Sequence, residues 1–246
     1  MLLSFVTIVA YSQKTDLSTV NTVKPKLGQK MAFEAAYKAH IAKFHKADEK
    51  MNVYEILSGR YTGYYHLVNG GKSYASLDNE RADATAHSMD LDKAFFPLLE
   101  ETMNGTYRYI DSLSFHSDIQ AEKFVLNTRH IKLSMLEDYR AELAKGVKVL
   151  SKLKGTFWDN LSQTVFQQLW VGSDPVYITV RNLKDGFKSL ETDFYGPMNN
   201  GNPSFQDEYV KAYGTLAWDK RIKILDEAVV KHEQYTMKLR KDLSSQ

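Results

Sequence analysis

Between Gln29 and Ala47 apolar side chains recur at Phe33, Tyr37, Ile41 and Phe44, the i, i+4, i+8, i+11 stripe of an amphipathic helix. The stripe returns at Tyr139, Leu143, Val147 and Leu150 and predicts a second such helix over Met135 to Leu153. Short strands flank both. Ser18 to Lys24 and Lys123 to Ile131 precede the helices, the former followed by a Pro25 to Gly28 turn. Met51 to Leu57 and Tyr61 to Asn69, rich in aromatic and β-branched residues, read as a hairpin around Ser58-Gly59-Arg60, broken by Gly70-Gly71. Gln163 to Val171 and Val176 to Arg181 do the same around the turn Gly172 to Pro175. The remaining helical stretches are Ser73 to Asp78, Asp92 to Met103, Asp185 to Asp193 and Asp219 to Glu233; Thr106 to Ser114 and Tyr235 to Leu239 are closing strands.

The two series are related by spacing. Asn21-Thr22 and Lys26-Leu27 recur as Asn127-Thr128 and Lys132-Leu133, 106 positions on. Tyr65 and Val68 fall on Tyr177 and Val180 at 112, Tyr74 to Asp78 on Phe187 to Glu191 at 113, and Thr106 to Ser114 on Thr236 to Ser244 at 130. Offsets that only grow fit a repeat with insertions at surface turns. The order βαββαβ therefore occurs twice, over 18–115 and 122–244, and predicts an α+β fold of two ferredoxin-like repeats. A sheet with helices on one face leaves an apolar face bare. The expected solution is that the repeats pack sheet to sheet as one intrachain α+β barrel with a central cleft.

On the first helix, the hairpin and the aromatic-x-Ser-Leu-acid blocks at Tyr74 to Asp78 and Phe187 to Glu191, the chain resembles the dimeric α+β barrel superfamily. That superfamily includes antibiotic-biosynthesis-type monooxygenases and EthD-like and NIPSNAP-like proteins. The resemblance implies a ligand between sheet and helices and, in some members, cofactor-independent oxygenation or haem handling through Asn, Trp and His. Carried onto this chain it marks His66, Asn127 and His130 as catalytic candidates and Trp158 and Trp170 as ligand contacts. His66 and His130 fall where the other repeat has Ile178 and Lys24, so neither position is shared. Tyr54, Tyr61, Tyr64 and Tyr65 crowd one hairpin, either as a stacking wall for a flat ligand or as ordinary cross-strand pairs. His232 continues the stripe Ile222, Leu225, Val229 of the last long helix. In the chlorite-dismutase-like haem proteins such a residue ligates iron; otherwise it is a helix-end residue facing the last carbonyls.

Composition narrows the chemistry. The 246 residues carry 32 Lys and Arg against 30 Asp and Glu, a net charge of +2 that gives no grip on a nucleic-acid backbone. With no cysteine, disulfides, thiolate metal sites, iron–sulfur clusters and a thiol nucleophile are excluded. There is no Gly-x-Ser-x-Gly elbow and no phosphate loop. His87-Ser-Met-Asp90-Leu-Asp92 offers metal-ligand types, but Asp90 and Asp92 read as caps of the following helix, so no metal is assigned. Leu2 to Ala10 is a short apolar run with Ala10 and Ser12 at the −3 and −1 positions of a signal cleavage after Ser12, which predicts a secreted or periplasmic protein; without such a signal it is cytoplasmic. The expected function is binding of a small, partly apolar or aromatic molecule by Tyr54, Tyr64, His66, Trp158 and Trp170, in a monomer or homodimer with no stable membrane insertion and no assured cofactor. The alternatives are a cofactor-independent monooxygenase or haem-handling enzyme, and a non-catalytic interaction module.

Overall fold

A computed structural model describes residues 16–46, 49–115, 118, 120–153, 162–172, 174–190 and 204–245. The expected signal segment and Trp158 lie outside these residues. Eight strands form the sheet: β1 (Leu17–Pro25), β2 (Asn52–Ile56), β3 (Tyr65–Lys72), β4 (Leu99–Tyr109), β5 (Lys123–Ile131), β6 (Thr164–Leu169), β7 (Val176–Leu183) and β8 (Val229–Leu239). All pairings are antiparallel, and the order β1-β3-β2-β8-β5-β7-β6-β4 closes on itself as a barrel. Closure leaves no free sheet edge. The barrel expected from the sequence is thus present, and it closes edge to edge through β2–β8 and β4–β6 rather than by stacking one sheet on another.

The pairing registers follow one another around the ring. Asn21 faces Asn104 and Asn127 faces Gln234; Thr22 faces His66 and Thr128 faces Ile178. Tyr54 meets Leu239 at one junction and Phe166 meets Tyr109 at the other.

Strand alternation sends one set of side chains inward and the other out to the helices. Ile56, Phe124, Leu126, Tyr235 and Met237 fill the barrel. Outside, α1 (Lys30–Phe44) packs Phe33, Tyr37 and Ile41 onto Val23, Val53, Tyr65 and Leu67 of the first strands. On the other side α4 (Leu136–Lys152) sets Tyr139 against Ile131, Val165 and Tyr177. Two short helices, α2 (Tyr74–Leu77) and α3 (Ala84–Asp90), follow β3; α5 (Phe205–Tyr213) and α6 (Thr215–Ala228) precede β8.

Helices α4, α5 and α6 are joined by one buried carboxylate. Glu142, 2% exposed, accepts from Lys145 Nζ at 2.6 Å and from the Tyr209 hydroxyl at 2.5 Å. Arg221 donates to the Glu142 carbonyl and lies over the rings of Phe205 and Tyr209. Its room comes from Gly146, where a Cβ would approach the guanidinium to 3.3 Å.

Several expected elements differ: among the described residues the stretch from Asp185 holds a 3₁₀ turn over Gly186–Leu190, and the strand over Thr106 to Ser114 ends at Tyr109 before a 3₁₀ turn over Asp111–Leu113. The helix over Asp92 to Met103 is instead a π turn over Leu91–Phe95, a 3₁₀ turn over Phe96–Leu98 and, from Leu99, strand β4. The register of β4 on β1 runs from Pro25–Leu99 to Leu17–Arg108, and closing the ring outweighs the local helical pattern. The helix over Asp219 to Glu233 stops at Ala228, because β-branched Val229 and Val230 start the pairing of β8 with β5. The hairpin turn is longer than three residues: Tyr61 lies in it and β3 begins only at Tyr65. No helix among the described residues is long and apolar enough to cross a membrane.

Candidate functional site

Three cavities border groups able to do chemistry. The first, about 380 Å³, is the barrel interior, where Tyr54, His66, Tyr107, Phe124, Phe166 and Tyr235 are brought together by inward-facing strand positions. His66 Nδ1 lies 2.8 Å from Thr22 Oγ1 and its Nε2 2.9 Å from the Tyr235 hydroxyl. Burial holds the imidazole neutral, its pKa pushed down to about 4. Both ring nitrogens are satisfied by hydroxyls, which is a structural arrangement more than that of a poised base. Tyr54 stands edge-on to Phe124 at 5.3 Å between centroids, so it is a cross-barrel packing partner.

The second cavity, about 560 Å³, lies between the outer face of β5, β7 and β8 and helices α4 and α6. Its apolar wall includes Val125, Leu143, Val147, Leu150 and Leu225; Asn127, Arg129, Arg181, Arg221 and His232 supply the polar side. Arg129 donates to Thr179 Oγ1 at 3.1 Å, and no described carboxylate pairs with it. Asn127 Oδ1 accepts from His232 Nε2 at 3.1 Å and from Gln234 Nε2 at 2.9 Å.

The third cavity, about 290 Å³, occupies the corresponding place under α1, against β1, β3 and β4. Here Asn21 and Asn104 stand where Asn127 and Gln234 stand in the second. Three histidines converge on it: His40 from α1, His45 just past its end, and His87 from α3. Their Nε2 atoms form a near-equilateral triangle, 3.1 Å between His40 and His87, 3.2 Å between His45 and His40 and 3.2 Å between His45 and His87. Their Nδ1 atoms point away: His40 to Asp90 Oδ2 at 2.8 Å, His45 to the Glu49 carbonyl at 3.0 Å. Asp90 also receives Lys43 Nζ at 3.1 Å. Burial lowers the pKa of all three imidazoles, that of His45 to about 4.

No family model matches the sequence, and no curated protein matches it. Among solved structures the chain is similar to an anthrone oxidase-like protein, with TM-score 0.56, 11% identity and 92% of each chain covered. It is similar to a monooxygenase candidate from Lactobacillus acidophilus NCFM, with TM-score 0.53, 11% identity, and 93% of this chain and 95% of that one covered. A mutant chlorite dismutase from Candidatus Nitrospira defluvii gives TM-score 0.50 at 8% identity, covering 91% of this chain and 92% of that one. At such identities the likeness is one of fold: the chain has the α+β barrel architecture of these proteins.

The residues singled out from sequence separate among these places. Tyr54 and His66 line the barrel interior. Tyr64 is buried next to it and donates its hydroxyl to Glu101 at 2.7 Å, which pushes its pKa up to about 12. Asn127 faces outward into the second cavity, whereas His130, three residues along β5, has the opposite parity. The two therefore do not meet, nor does either meet His66. Trp170 is 73% exposed at the end of β6, with φ of 52°, and lines none of the three cavities. His232 is a residue of β8, so the expectation that it continues the stripe of the last helix and faces that helix's final carbonyls is corrected. Asp90 caps no helix; it is the last residue of α3 and holds His40. The histidine triangle escaped the sequence reading, since His40 and His45 are five apart, off any single helical face, and His87 is far along the chain.

Proposed function

We propose that the protein binds a small, partly apolar anion in the cavity between β5, β7, β8 and helices α4 and α6. The observation that carries this reading is Arg129: a guanidinium in a cavity wall without a described carboxylate partner, opposite an aliphatic wall from α4 and α6. A half-buried guanidinium gains most from an anion that it can bond directly, so the site favours a carboxylate or similar group at Arg129 and a hydrocarbon or aromatic body along Leu143, Val147 and Leu225. The sheet/helix cleft expected from the sequence is the place, with different lining residues.

The repeated pairing registers support a further part of the proposal, that the chain arose by duplication of a ferredoxin-like unit. Asn21 and Asn127 stand 106 positions apart and their partners Asn104 and Gln234 stand 130 apart, two of the offsets found in the sequence. Duplicated clefts could then diverge, one gaining guanidinium groups and the other imidazoles.

Oxygenation of the bound molecule is a second reading, favoured by the fold neighbours described as a monooxygenase candidate and an anthrone oxidase-like protein. The guanidinium groups suit the carboxylates of a tetrapyrrole, but His232 Nε2 is engaged by Asn127 Oδ1, so the arrangement does not fit iron ligation and no step is derived through haem.

The test is titration with 1-naphthoate and its neutral amide, with haemin as a third probe. Arg129→Ala is expected to weaken the carboxylate by ~10- to 100-fold, the factor for losing a charge-assisted hydrogen bond of about 1.5–3 kcal/mol. Binding of the amide should change little. Equal weakening of both probes, or no binding of either, would contradict the proposal; a Soret shift abolished by His232→Ala would restore iron ligation.

A further inference from the structure

The geometry points to a divalent transition-metal site, of the zinc or cobalt class, formed by Nε2 of His40, His45 and His87, with a fourth position open to the cavity under α1. It is independent of the anion cleft on the other side of the barrel.

The first argument is proton bookkeeping on the rings. His40 Nδ1 faces a carboxylate oxygen and His45 Nδ1 faces a peptide carbonyl; both are acceptors, so both Nδ1 atoms carry the hydrogen. In the neutral rings the two Nε2 atoms are then bare lone pairs, held 3.2 Å apart and turned towards each other. His87 Nε2 has a single hydrogen at most and stands 3.1 and 3.2 Å from them, so it cannot satisfy both well. Two inward lone pairs with at most one hydrogen between them leave at least one pair unmatched, a deficit that a cation among the three nitrogens removes.

The second argument is size. An ion about 2.05 Å from each nitrogen, an ordinary Zn–N length, would sit about 0.9 Å above the plane of the observed triangle with N–metal–N angles of about 100°. Those values are near tetrahedral, with one corner free. Three protein ligands and one open position are the arrangement of catalytic rather than structural zinc. Imidazole donors without thiolate or carboxylate also exclude calcium and magnesium as preferred occupants.

The third argument is support. Asp90 and the Glu49 carbonyl fix the tautomer and ring orientation of two ligands, as outer partners of metal-bound histidines do. Tyr37, 2% exposed, lines the same cavity with a hydroxyl that has no partner among the described residues. A metal-bound water or a small ligand donor in the cavity would supply one. Asn21, Thr102 and Asn104 add polar groups around it, while Val23, Leu67 and Phe95 keep the remainder apolar.

The experiment uses the full chain without an affinity tag, stripped with chelator and titrated with Co²⁺, then Zn²⁺. One cobalt per chain, the visible d–d bands of a four-coordinate ion, and displacement by zinc are expected. His87→Ala, checked for folding by circular dichroism, should abolish the bands and weaken binding at least 100-fold. Asp90→Asn should weaken it ~10- to 100-fold while retaining the bands. X-ray absorption of the zinc-loaded wild type should show three imidazoles, a readout independent of any variant's folding. Folded wild type that takes up no cobalt, bands that survive His87→Ala, or absorption lacking the imidazole signature would overturn the assignment.

Discussion

Arg240→Ala is expected to destabilise the fold by about 3 kcal/mol, the lower end of the cost of removing one member of a buried ion pair, since the group keeps some contact with water. The guanidinium is 14% exposed and sits immediately after β8. It donates to Glu34 of α1 at 2.6 and 3.0 Å, to Glu55 of β2 at 2.9 Å and to Asp242 at 2.8 Å. The Glu34 carboxylate also accepts from the Tyr65 hydroxyl at 2.5 Å. One side chain thus fastens the last segment of the chain to the helix and strand that begin it, across the β2–β8 junction where the barrel closes. Truncation leaves two carboxylates, 21% and 15% exposed, with only the half-exposed Lys30 ammonium between them. The effect has a pH signature. Hydrogen bonding to Arg240 holds the Glu34 pKa below its ordinary value and does the same to Asp242. A lowered folded-state pKa gives stability that is present above the unfolded value, near ~4, and lost as pH falls through the folded value. The difference between wild type and Arg240→Ala should therefore be full at neutral pH and shrink in acid. Chemical denaturation of both proteins across that range measures it; a gap that does not shrink in acid would mean that packing of the guanidinium, and not its charge, is what matters.

The same physics explains what could be read from sequence. Helix α4 falls almost where periodicity places it because it buries Tyr139 and Val149, and strand β5 because both its faces are covered, Phe124 and Leu126 inside the barrel and Val125 and Ile131 towards the helices. The sequence spacing has a counterpart in the pairing: Asn21 faces Asn104 as Asn127 faces Gln234. Where local pattern and closure conflict, closure prevails: Leu99 to Met103 carries an acceptable helical stripe, yet β1 lacks a second neighbour unless that segment extends. Val229 to His232 reads as a helix end only if β5 is ignored. The clefts were less legible than the fold. Alternation separates Asn127 from both His130 and His66, so residues close in sequence act on opposite sides of a wall. The histidine triangle depends on the exit of the chain from α1 and on the placement of α3, neither of which has a periodic signature. The usable signals were Asp90 three residues after His87, and four of the chain's seven histidines falling within its first 87 residues.

Phe33→Ala is expected to have the largest effect, ~3–5 kcal/mol, the range for removing a fully buried aromatic ring. Phe33 is completely buried on α1 and contacts Tyr65 at 4.9 Å, Phe95 at 5.3 Å and Tyr37 at 6.1 Å between ring centroids. It is the ring through which the helix, the sheet and the segment before β4 touch together. Neighbours can collapse into the void only by moving Tyr37 or Phe95, and these two also line the cavity of the histidine triangle. Loss of stability should therefore be accompanied by weaker cobalt binding, although Phe33 touches none of the three imidazoles through a hydrogen bond. Phe33→Leu separates the contributions: it keeps most of the apolar volume and should cost well under half as much. A denaturant midpoint for Phe33→Ala within ~1 kcal/mol of wild type would show that the first helix is not seated as described, and with it the position of His40 would have to be abandoned.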